Sequence, residues 1–450
     1  MKSYFIRLYF IIFFVLSSQC FASNTVNFDK LLKNYVDVKG PGVSVIVTKA
    51  GQTIYKGARG KANIELSKVL TTSSEFKLAS ITKQFTSAAL LMLQEQGKLS
   101  ITDKVHKYLP NLAPQLSDIT IEHLMSHTSG LYRNPKNIAE HRKTAISLDK
   151  LMVLLMKETI KFPPGKKMSY SNSGYLLLGK IIEVVSKQTY GQFIEANIFN
   201  KLGMNNSYYG RKINNSKEVI GYYQTRRAEI KKAKPIDVSW AFSAGGLVSS
   251  VDDLAIWYRS LSQGLLISDQ SYKMMITGFK LNDGSFSRYG FGLNNIKIHK
   301  HNAIIHQGST PGFKTSAVYF PEEDIYLAAL SNDYSSKPFN LTLLLSAEIL
   351  GINYPDYAPF AMEKNQLNKF LGRYKIDNNS TRTLFVEEGL IYTRRDDSLP
   401  YEVMPISKNS FVYKGSLDYF VIDDDDTGKL TLSYYPRLSA MPQKAIKLNN

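Results

Sequence analysis

The strand patterns of this chain lie at both ends of a long helical stretch, and this arrangement restricts the possible folds more than any other feature. Apolar residues alternate along 42–55 with a break at Ala50-Gly51, which predicts a hairpin. We therefore expect the folded part of the chain to open with sheet. Helical patterns dominate 101–240, and strand patterns return only after residue 288, at 289–298, 303–306, 317–320 and 325–330. A sheet assembled from both ends of one segment, with helices between, predicts a layered α/β (α+β) unit with a helical subdomain.

A change of pattern after residue 350 predicts a second domain. Residues 351–365 contain Pro355, Pro359 and several polar residues, which is typical of a linker. Short alternating strands with turns such as 387–389 follow, so we expect residues 366–450 to form a small β-rich domain. The layered unit is then expected to occupy residues 23–350.

Residues 1–22 have the pattern of a secretory signal peptide. Lys2 and Arg7 are basic, residues 8–16 are apolar, and Cys20-Phe21-Ala22 offers small residues before a cleavage site after Ala22. The apolar run is much shorter than the roughly 20 residues that a membrane-spanning helix needs. We therefore expect a periplasmic or secreted protein with no stable membrane anchor after cleavage.

Cysteine content and charge exclude several classes of function. The only cysteine, Cys20, lies in the predicted signal, so we expect neither disulfides nor a catalytic thiol in the mature chain. The formal charge falls from +18 to +16 without Lys2 and Arg7, which favours anionic surroundings. The basic residues are scattered among acidic ones, which argues against nucleic-acid binding. Neither a His-Glu-x-x-His zinc motif nor a phosphate-binding glycine loop occurs, and we expect no metal and no cofactor.

A serine and a lysine three residues apart open a long predicted helix. Ser80 and Lys83 precede apolar residues at helical spacing, and Gly97 is a plausible stop. Residues three apart share a helix face, so the Lys83 amine can reach the Ser80 hydroxyl. The helix N-terminus favours a developing anion, and burial would lower the pKa of the lysine so that its neutral form accepts a proton. The alternative is an N-cap serine beside a solvated lysine.

The Ser-x-x-Lys spacing occurs twice more, so context has to decide. Ser147 and Lys150 precede the helical pattern of 151–156, where a serine is expected to cap the helix. Ser74 and Lys77 lie in a short polar stretch without a long helix behind them. Only Ser80 opens a helix whose following face is suited to burial.

Two further segments offer groups that such a nucleophile needs. Tyr170 follows a Pro-Pro-Gly turn and precedes an apolar helix, and a tyrosine near cations can have a lowered pKa and shuttle protons. Asn172 could orient Lys83 or bind a substrate amide; the alternative for both residues is a structural turn. His306 ends a predicted strand, where it would supply polarity or positive charge, and Gly308 would let a substrate backbone approach closely. A lone histidine at a strand end is more often structural.

Together these segments resemble the serine β-lactamase and penicillin-recognising family, in particular its class C-like, DD-peptidase and esterase branch. The resemblance spans roughly residues 27–350 and rests on 76–83 (Phe-Lys-Leu-Ala-Ser-Ile-Thr-Lys), 124–131 (Leu-Met-Ser-His-Thr-Ser-Gly-Leu), 170–175 (Tyr-Ser-Asn-Ser-Gly-Tyr) and 244–247 (Ala-Gly-Gly-Leu). It implies an antiparallel sheet flanked by helices, as in β-lactamases and DD-peptidases.

The resemblance also implies roles for individual residues. Ser80 would be the nucleophile, Lys83 and Tyr170 the base system, and Asn172 would position substrate and lysine. The backbone N–H groups of Ser80 and Ser309 would form the oxyanion hole. His306 would take the place of the lysine more usual in the family, and His127 would be structural support.

One departure from the family pattern bears on the substrate. The family's β-lactamases usually carry Lys-Thr-Gly where this chain has His306-Gln307-Gly308, and Gln307 removes a hydroxyl that often binds a substrate carboxylate. We therefore predict an exported serine hydrolase that forms an acyl-enzyme on Ser80 and acts on a small molecule or peptide derived from peptidoglycan. It would be a D-amino-acid peptidase or D-alanyl-D-alanine carboxypeptidase-like enzyme. The alternatives, in order, are an esterase of the same fold, a β-lactamase and a non-catalytic penicillin-binding-like scaffold.

Overall fold

Two parts of the chain fold around separate cores. The computed structural model describes residues 28–135, 144–211, 216–225, 229–414, 416–424, 429–436 and 441–448. One unit runs to Ile296 and includes Asn302–Ile349, and the other consists of Lys297–His301 and the chain from Leu350 onwards. The predicted signal peptide lies outside the described residues. Within those ranges, no helix combines the length and apolar character needed to cross a membrane.

The first unit alternates between strands and helices. The strands that lie wholly or mainly in this unit are β1 (Val43–Lys49), β2 (Gln52–Arg59), β3 (Lys61–Asn63), β4 (Lys68–Val69), β5 (Phe76–Lys77), β6 (Tyr208–Tyr209), β7 (Tyr222–Gln224), β8 (Ile230–Lys232), β9 (Leu247–Ser249), β10 (Asn294–Ile298), β11 (His301–Thr310), β12 (Phe313–Phe320) and β13 (Ile325–Ser331). Its helices are α1 (Thr82–Glu95), α2 (Ile121–Met125), α3 (Leu148–Met156), α4 (Asn172–Ser186), α5 (Tyr190–Ile194), α6 (Asn200–Leu202), α7 (Val238–Gly245), α8 (Val251–Ser262), α9 (Asp269–Ile276) and α10 (Pro338–Leu350).

The principal sheet joins the two ends of this unit, as the strand patterns predicted. Its six strands follow the order β10-β11-β12-β13-β1-β2. The pairs β1–β13, β1–β2, β11–β12 and β12–β13 are antiparallel, and Val45 lies opposite Ala329 in the β1–β13 pair. The predicted layered fold with an antiparallel sheet and flanking helices is therefore confirmed.

Two details of the predicted elements were wrong. Residues 28–35 are helical, so a helix precedes the first strand where we expected sheet. The signal was present, because Phe28, Leu32 and Val36 are buried and recur every four residues. The predicted strand at 289–298 is also shorter, since β10 begins only at Asn294.

Helix α1 lies at the centre of the helical part of the unit. Residues 82–93 are all buried, and α1 contacts α4 and α7. The Phe85 ring stacks on Trp257 with centroids 4.0 Å apart and meets Phe199 edge-on at 5.6 Å. The helix ends at Glu95, and Gly97 follows with a φ of 68°, as expected of the predicted stop. The N-terminus of α1 thus belongs to a helix that is buried over most of its length.

The second unit is a small barrel, which confirms the predicted C-terminal β domain. Helix α11 (Lys364–Phe370) begins just before the end of the predicted linker. The strands are β14 (Gly372–Lys375), β15 (Thr381–Glu387), β16 (Leu390–Arg395), β17 (Tyr401–Pro405), β18 (Ser410–Tyr413), β19 (Tyr419–Asp424), β20 (Leu430–Tyr435) and β21 (Gln443–Lys447). They pair in chain order, and β14 closes the barrel on β21. Phe411, Phe420 and Tyr374 belong to its core.

Candidate active site

Ser80 lies in a tight turn immediately before α1. The turn Ala79–Ile81 is a 3-10 helix, and Ser80 is partly exposed between two buried neighbours. Ala79 has a φ of 50°, a left-handed conformation that is unfavourable for a residue with a side chain. Such strain is common where a reactive group has to be presented at a defined angle. The turn therefore exposes the Ser80 hydroxyl at the N-terminal end of a buried helix.

The amine of Lys83 lies against that hydroxyl. Its Nζ is 3.2 Å from Ser80 Oγ and donates a hydrogen bond to the Ala244 carbonyl oxygen at 2.7 Å. The side chain is fully buried, and the described residues include no carboxylate in an ion pair with it. Burial, reinforced by the Arg133 guanidinium, holds the pKa of Lys83 well below its ordinary value. The site therefore favours a neutral amine that can accept a proton.

A break in helix α7 supplies the carbonyl that holds Lys83. Phe242 has φ 36° and ψ −130°, which interrupts the helix and redirects the carbonyl groups that follow. The Ser243 carbonyl accepts from Thr86 Oγ1 at 2.7 Å, next to the bond between Lys83 and Ala244. Two consecutive carbonyls thus fasten α7 to α1.

Tyr170 lies beside both members of the pair. Lys83 Nζ is 5.0 Å from the centroid of its ring, and the Arg133 guanidinium is 5.1 Å from the same centroid. Burial raises the pKa of Tyr170 to about 12, although the Ser80 hydroxyl and Arg133 oppose this rise. The expectation of a lowered pKa was wrong, because desolvation outweighs the nearby cations. Tyr170 is therefore a protonated phenol that can donate a hydrogen bond.

Asn172 faces the pocket from the start of α4. Ser171 caps this helix, with its Oγ accepting from the Gly174 N–H at 3.1 Å. The Asn172 amide donates to Asn134 Oδ1 at 2.8 Å. The described hydrogen bonds of Asn172 do not include one to Lys83. Asn172 lines the pocket over Ser80, and its contact with a bound molecule stays a prediction.

His306 is held as a neutral ring. Its Nδ1 is 2.8 Å from the Gln307 carbonyl oxygen, which can only accept, so Nδ1 carries the proton. Nε2 is then an acceptor, and the Tyr289 hydroxyl donates to it at 2.8 Å. Burial and the proximity of Lys83 lower the pKa of His306 to about 3. The alternative of a positive charge beside Ser80 was therefore wrong, and the buried ring supplies polarity only.

From His306 to Ser309, strand β11 alternates between buried and exposed residues. His306 and Gly308 are buried, whereas Gln307 and Ser309 are exposed on the opposite face. A Cβ on Gly308 would lie 2.2 Å from the Leu78 carbonyl oxygen. The close approach expected at this glycine is therefore to the chain's own backbone, just ahead of the Ser80 turn.

His127 occupies the interior behind the site. Its Nδ1 accepts from the Ser171 N–H at 3.1 Å, and its ring lies 4.2 Å from the ring of Tyr170 and 4.5 Å from that of Tyr289. Its Nε2 is buried, and among the described residues it has no hydrogen-bond partner. These contacts fix the segment that carries Tyr170, which is consistent with the supporting role expected of His127.

A pocket of about 260 Å³ opens over the Ser80 turn. Ser80, Asn172 and Ser309 all contribute to its wall, from three distant parts of the chain. Lys83 and His306 are fully or almost fully buried, with exposed fractions of 0% and 5%. The arrangement can therefore bring a carbonyl compound to a hydroxyl whose proton has an adjacent acceptor.

A comparison of the sequence with models of protein families is consistent with this geometry. A model of the Beta-lactamase family matches residues 28–349. The chain belongs to the beta-lactamase family. It is accordingly a serine hydrolase.

This beta-lactamase family chain is similar to proteins whose names refer to different activities. It is 28% identical over 400 residues to penicillin-binding protein 4* of Bacillus subtilis (strain 168), covering 82% of this chain and 87% of the relative. It is 26% identical over 321 residues to a D-aminopeptidase of Gluconobacter oxydans (strain 621H), covering 70% of this chain and 60% of the relative. The octameric penicillin-binding protein homologue from Pyrococcus abyssi has a similar fold, with a TM-score of 0.67, 24% identity and coverage of 95% and 99%.

In the other two Ser-x-x-Lys segments of this beta-lactamase family chain, the serine hydroxyls have structural roles. Ser147 caps α3, with its Oγ accepting from the Lys150 N–H at 3.3 Å. Ser74 Oγ accepts from the Thr71 N–H at 2.9 Å and is buried. The prediction of an N-cap at Ser147 is confirmed.

Three contributors to the site were missed in the sequence. The carbonyl of Ala244 is a backbone group, and its position depends on the break at Phe242. Arg133 and Tyr289 act through the rings of Tyr170 and His306, and no local pattern distinguishes them from surface and core residues. Only the Ala-Gly-Gly stretch at 244–246 gave a signal, and it came from the family resemblance.

Proposed function

We propose that this protein is an exported D-amino-acid peptidase or amidase that forms an acyl-enzyme on Ser80. The observation that carries the proposal is the 3.2 Å contact between Ser80 Oγ and the fully buried amine of Lys83. A lysine amine without a carboxylate partner is a base when it is neutral, and burial favours that form. Such a pair can activate a hydroxyl with no metal ion.

In acylation, Ser80 Oγ forms a bond to the substrate carbonyl carbon while its proton passes to Lys83 Nζ. The backbone N–H groups of Ser80 and Ser309 stabilise the resulting oxyanion. The carbon–nitrogen bond to the leaving amine then breaks as that nitrogen takes a proton from the Lys83 ammonium. The phenol of Tyr170 keeps its proton and forms a hydrogen bond with the Ser80 hydroxyl. This bond helps to keep the hydroxyl in position for proton transfer to Lys83. In deacylation, water attacks the ester carbonyl carbon while Lys83 accepts a proton from that water. The bond between this carbon and Ser80 Oγ then breaks, and Ser80 Oγ takes the proton back from the Lys83 ammonium.

The relatives support a substrate built from D-amino acids. A D-aminopeptidase and a penicillin-binding protein are among the proteins similar to this chain. Gln307 is exposed, as is Ser309 two residues further along β11, which lines the pocket, and the family's β-lactamases usually carry a threonine hydroxyl at the position of Gln307. These observations favour peptide or amide substrates over β-lactam antibiotics. The signal pattern in residues 1–22 supports export, which places cell-wall peptides among the accessible substrates.

The proposal is tested by labelling the mature protein with a fluorophosphonate and a fluorescent penicillin. The wild type should be labelled, Ser80→Ala should not, and Ser147→Ala, which alters a serine of the same spacing, should be labelled like the wild type. D-aminoacyl amides and peptides ending in D-amino acids should be hydrolysed, and their L-isomers should not.

Three outcomes would contradict the proposal. Equal labelling of the wild type and Ser80→Ala would remove the nucleophile. Fast hydrolysis of short-chain esters together with inert D-peptides would instead identify an esterase, and fast turnover of cephalosporins would identify a β-lactamase.

A further inference from the structure

A second pocket adjoins the one over Ser80. It has a volume of about 390 Å³, and Ile236, Ala241, Gly245 and Thr310 line both pockets. We call it the distal pocket. A substrate that lies along β11 past Ser309 and Thr310 can therefore extend from one pocket into the other without leaving the protein surface.

Lys77 directs a charged side chain towards the distal pocket. In β5, Phe76 is buried in the core, so the next residue, Lys77, points to the opposite face. Lys77 lies opposite Val248 of β9, and both residues line the distal pocket. Its Nζ is 6.0 Å from the centroid of the Phe313 ring. The lysine is thus anchored on a paired strand three residues before the nucleophile.

The ammonium group of Lys77 keeps its donors available. For the described part of the chain, the structure records no hydrogen bond and no ion pair of this group. Partial burial lowers the pKa of Lys77, and the nearby Glu218 and Asp237 offset this only in part. A partly desolvated cation without a direct partner gains from an anion that enters the pocket.

The neighbouring acids already have partners of their own. Glu218 Oε1 lies 3.7 Å from Arg211 Nε. Asp237 Oδ1 accepts hydrogen bonds from the N–H and the hydroxyl of Ser239, at 3.0 and 2.6 Å, as the cap of α7. Glu75, the third acid that lines the distal pocket, also has an interaction within the protein. These three carboxylates therefore attract an incoming cation less than Lys77 attracts an incoming anion.

We propose that the distal pocket binds a carboxylate on the acyl part of the substrate, with Lys77 as its partner. The inference rests on the proposed function, and it narrows the substrate to acyl donors with a second, free carboxylate, such as a glutamyl residue. The acyl part stays attached to Ser80 while the leaving amine departs and water enters, so a side pocket suits the acyl part. The net positive charge of the chain also attracts such anions.

The test uses para-nitrophenyl esters whose acyl chains end in a carboxylate, in the matched primary amide or in an amine, over a range of chain lengths. Release of nitrophenolate measures acylation directly. At one chain length the wild type should react with the carboxylate ester about tenfold faster than with the amide, or more. Lys77→Met should lower this ratio about tenfold, and Lys77→Glu should favour esters ending in an amine. Lys49→Met, an exposed lysine on β1, should leave the ratio unchanged.

The outcomes separate the two proposals. If Ser80→Ala releases nitrophenolate as fast as the wild type, the proposed function fails and the inference fails with it. If acylation depends on Ser80 but the wild type has no carboxylate preference at any length, or Lys77→Met keeps that preference, only the inference is overturned. The esters whose acyl chains end in an amide serve as a folding control. A misfolded variant would lose its acylation rates with the amide-terminated and the carboxylate-terminated esters together.

Discussion

Lys83 is a buried base that costs the protein stability. Its amine has hydrogen-bonding contacts with Ser80 and the Ala244 carbonyl, but no described carboxylate balances a positive charge there. Folding must therefore remove a proton from this lysine or desolvate its charge, and both are unfavourable. The residue is explained by chemistry rather than by packing.

Replacing Lys83 by methionine should stabilise the protein while removing its activity. Acylation should fall by about a hundredfold to ten-thousandfold, because the general base is lost. The free energy of unfolding should rise by about 1 kcal/mol or more, since the buried amine is gone. The pKa of Lys83 is lowered in the folded state, so the gain should be largest at low pH and fade near 10.5, where the unfolded lysine also loses its proton. Urea titrations across pH and acylation rates provide the measurements; unchanged acylation, or lower stability at low pH, would contradict the argument.

The pH dependence of acylation should report Lys83 and not His306. Acylation needs the neutral amine, so kcat/KM should rise with pH through the lowered pKa of Lys83. His306 has a pKa of about 3 and stays neutral between about pH 5 and 8. His306→Gln should therefore reduce the rate but keep the acidic limb at the same position. If kcat/KM of His306→Gln no longer rose with pH on the acidic side, the titrating group would be His306 and not Lys83.

At the scale of elements, the site depends on how closely β11 approaches the Ser80 turn. Thr315 Oγ1 of the paired strand β12 donates to the carbonyl oxygen of Leu78 at 3.0 Å, and Leu78 immediately precedes the strained Ala79. A glycine at 308 permits this contact, because any side chain there would collide with backbone. Strand and turn are thus fixed relative to each other.

Gly308→Ala should disrupt this junction. The new Cβ would lie 2.2 Å from both the Leu78 carbonyl oxygen and Thr315 Oγ1, so strand or turn must shift. We expect a loss of about 2 kcal/mol in unfolding free energy and a marked loss of Ser80 labelling. Gly40→Ala is the matched control, since its Cβ would have contacts no shorter than 3.4 Å. Chemical denaturation of both variants decides the point, and equal stability would show that the junction can relax.

The elements that the sequence predicted are those specified by local patterns. Helix α1 and its stop at Gly97 follow from the spacing of apolar residues. The cap at Ser147 follows from a side-chain oxygen that accepts a hydrogen bond from a backbone N–H a few residues further along the chain. The break at Phe242 has no such local cause, because a phenylalanine rarely adopts a positive φ. Without a local signal for this break, the position of the Ala244 carbonyl could not be predicted either.

At the scale of the whole molecule, the site unites segments that are far apart in sequence. Ser80, Asn172 and Ser309 line one pocket, and only the family resemblance linked them beforehand. The protonation of Tyr170 and His306 could not be predicted from the sequence, since it depends on burial that arises when these segments pack. The fold class was easier to predict, because strand patterns at both ends of a helical stretch allow few architectures.

The two cores predict two separate unfolding transitions. The barrel is closed by its own hydrogen bonds, and its core residues do not belong to the cluster that surrounds α1. Phe411→Ala removes a fully buried ring from the barrel and should lower the stability of that unit by about 3–5 kcal/mol. Calorimetry should show one transition moving to lower temperature, while thermal loss of Ser80 labelling stays at its wild-type temperature. If both move together, the units unfold as one cooperative body.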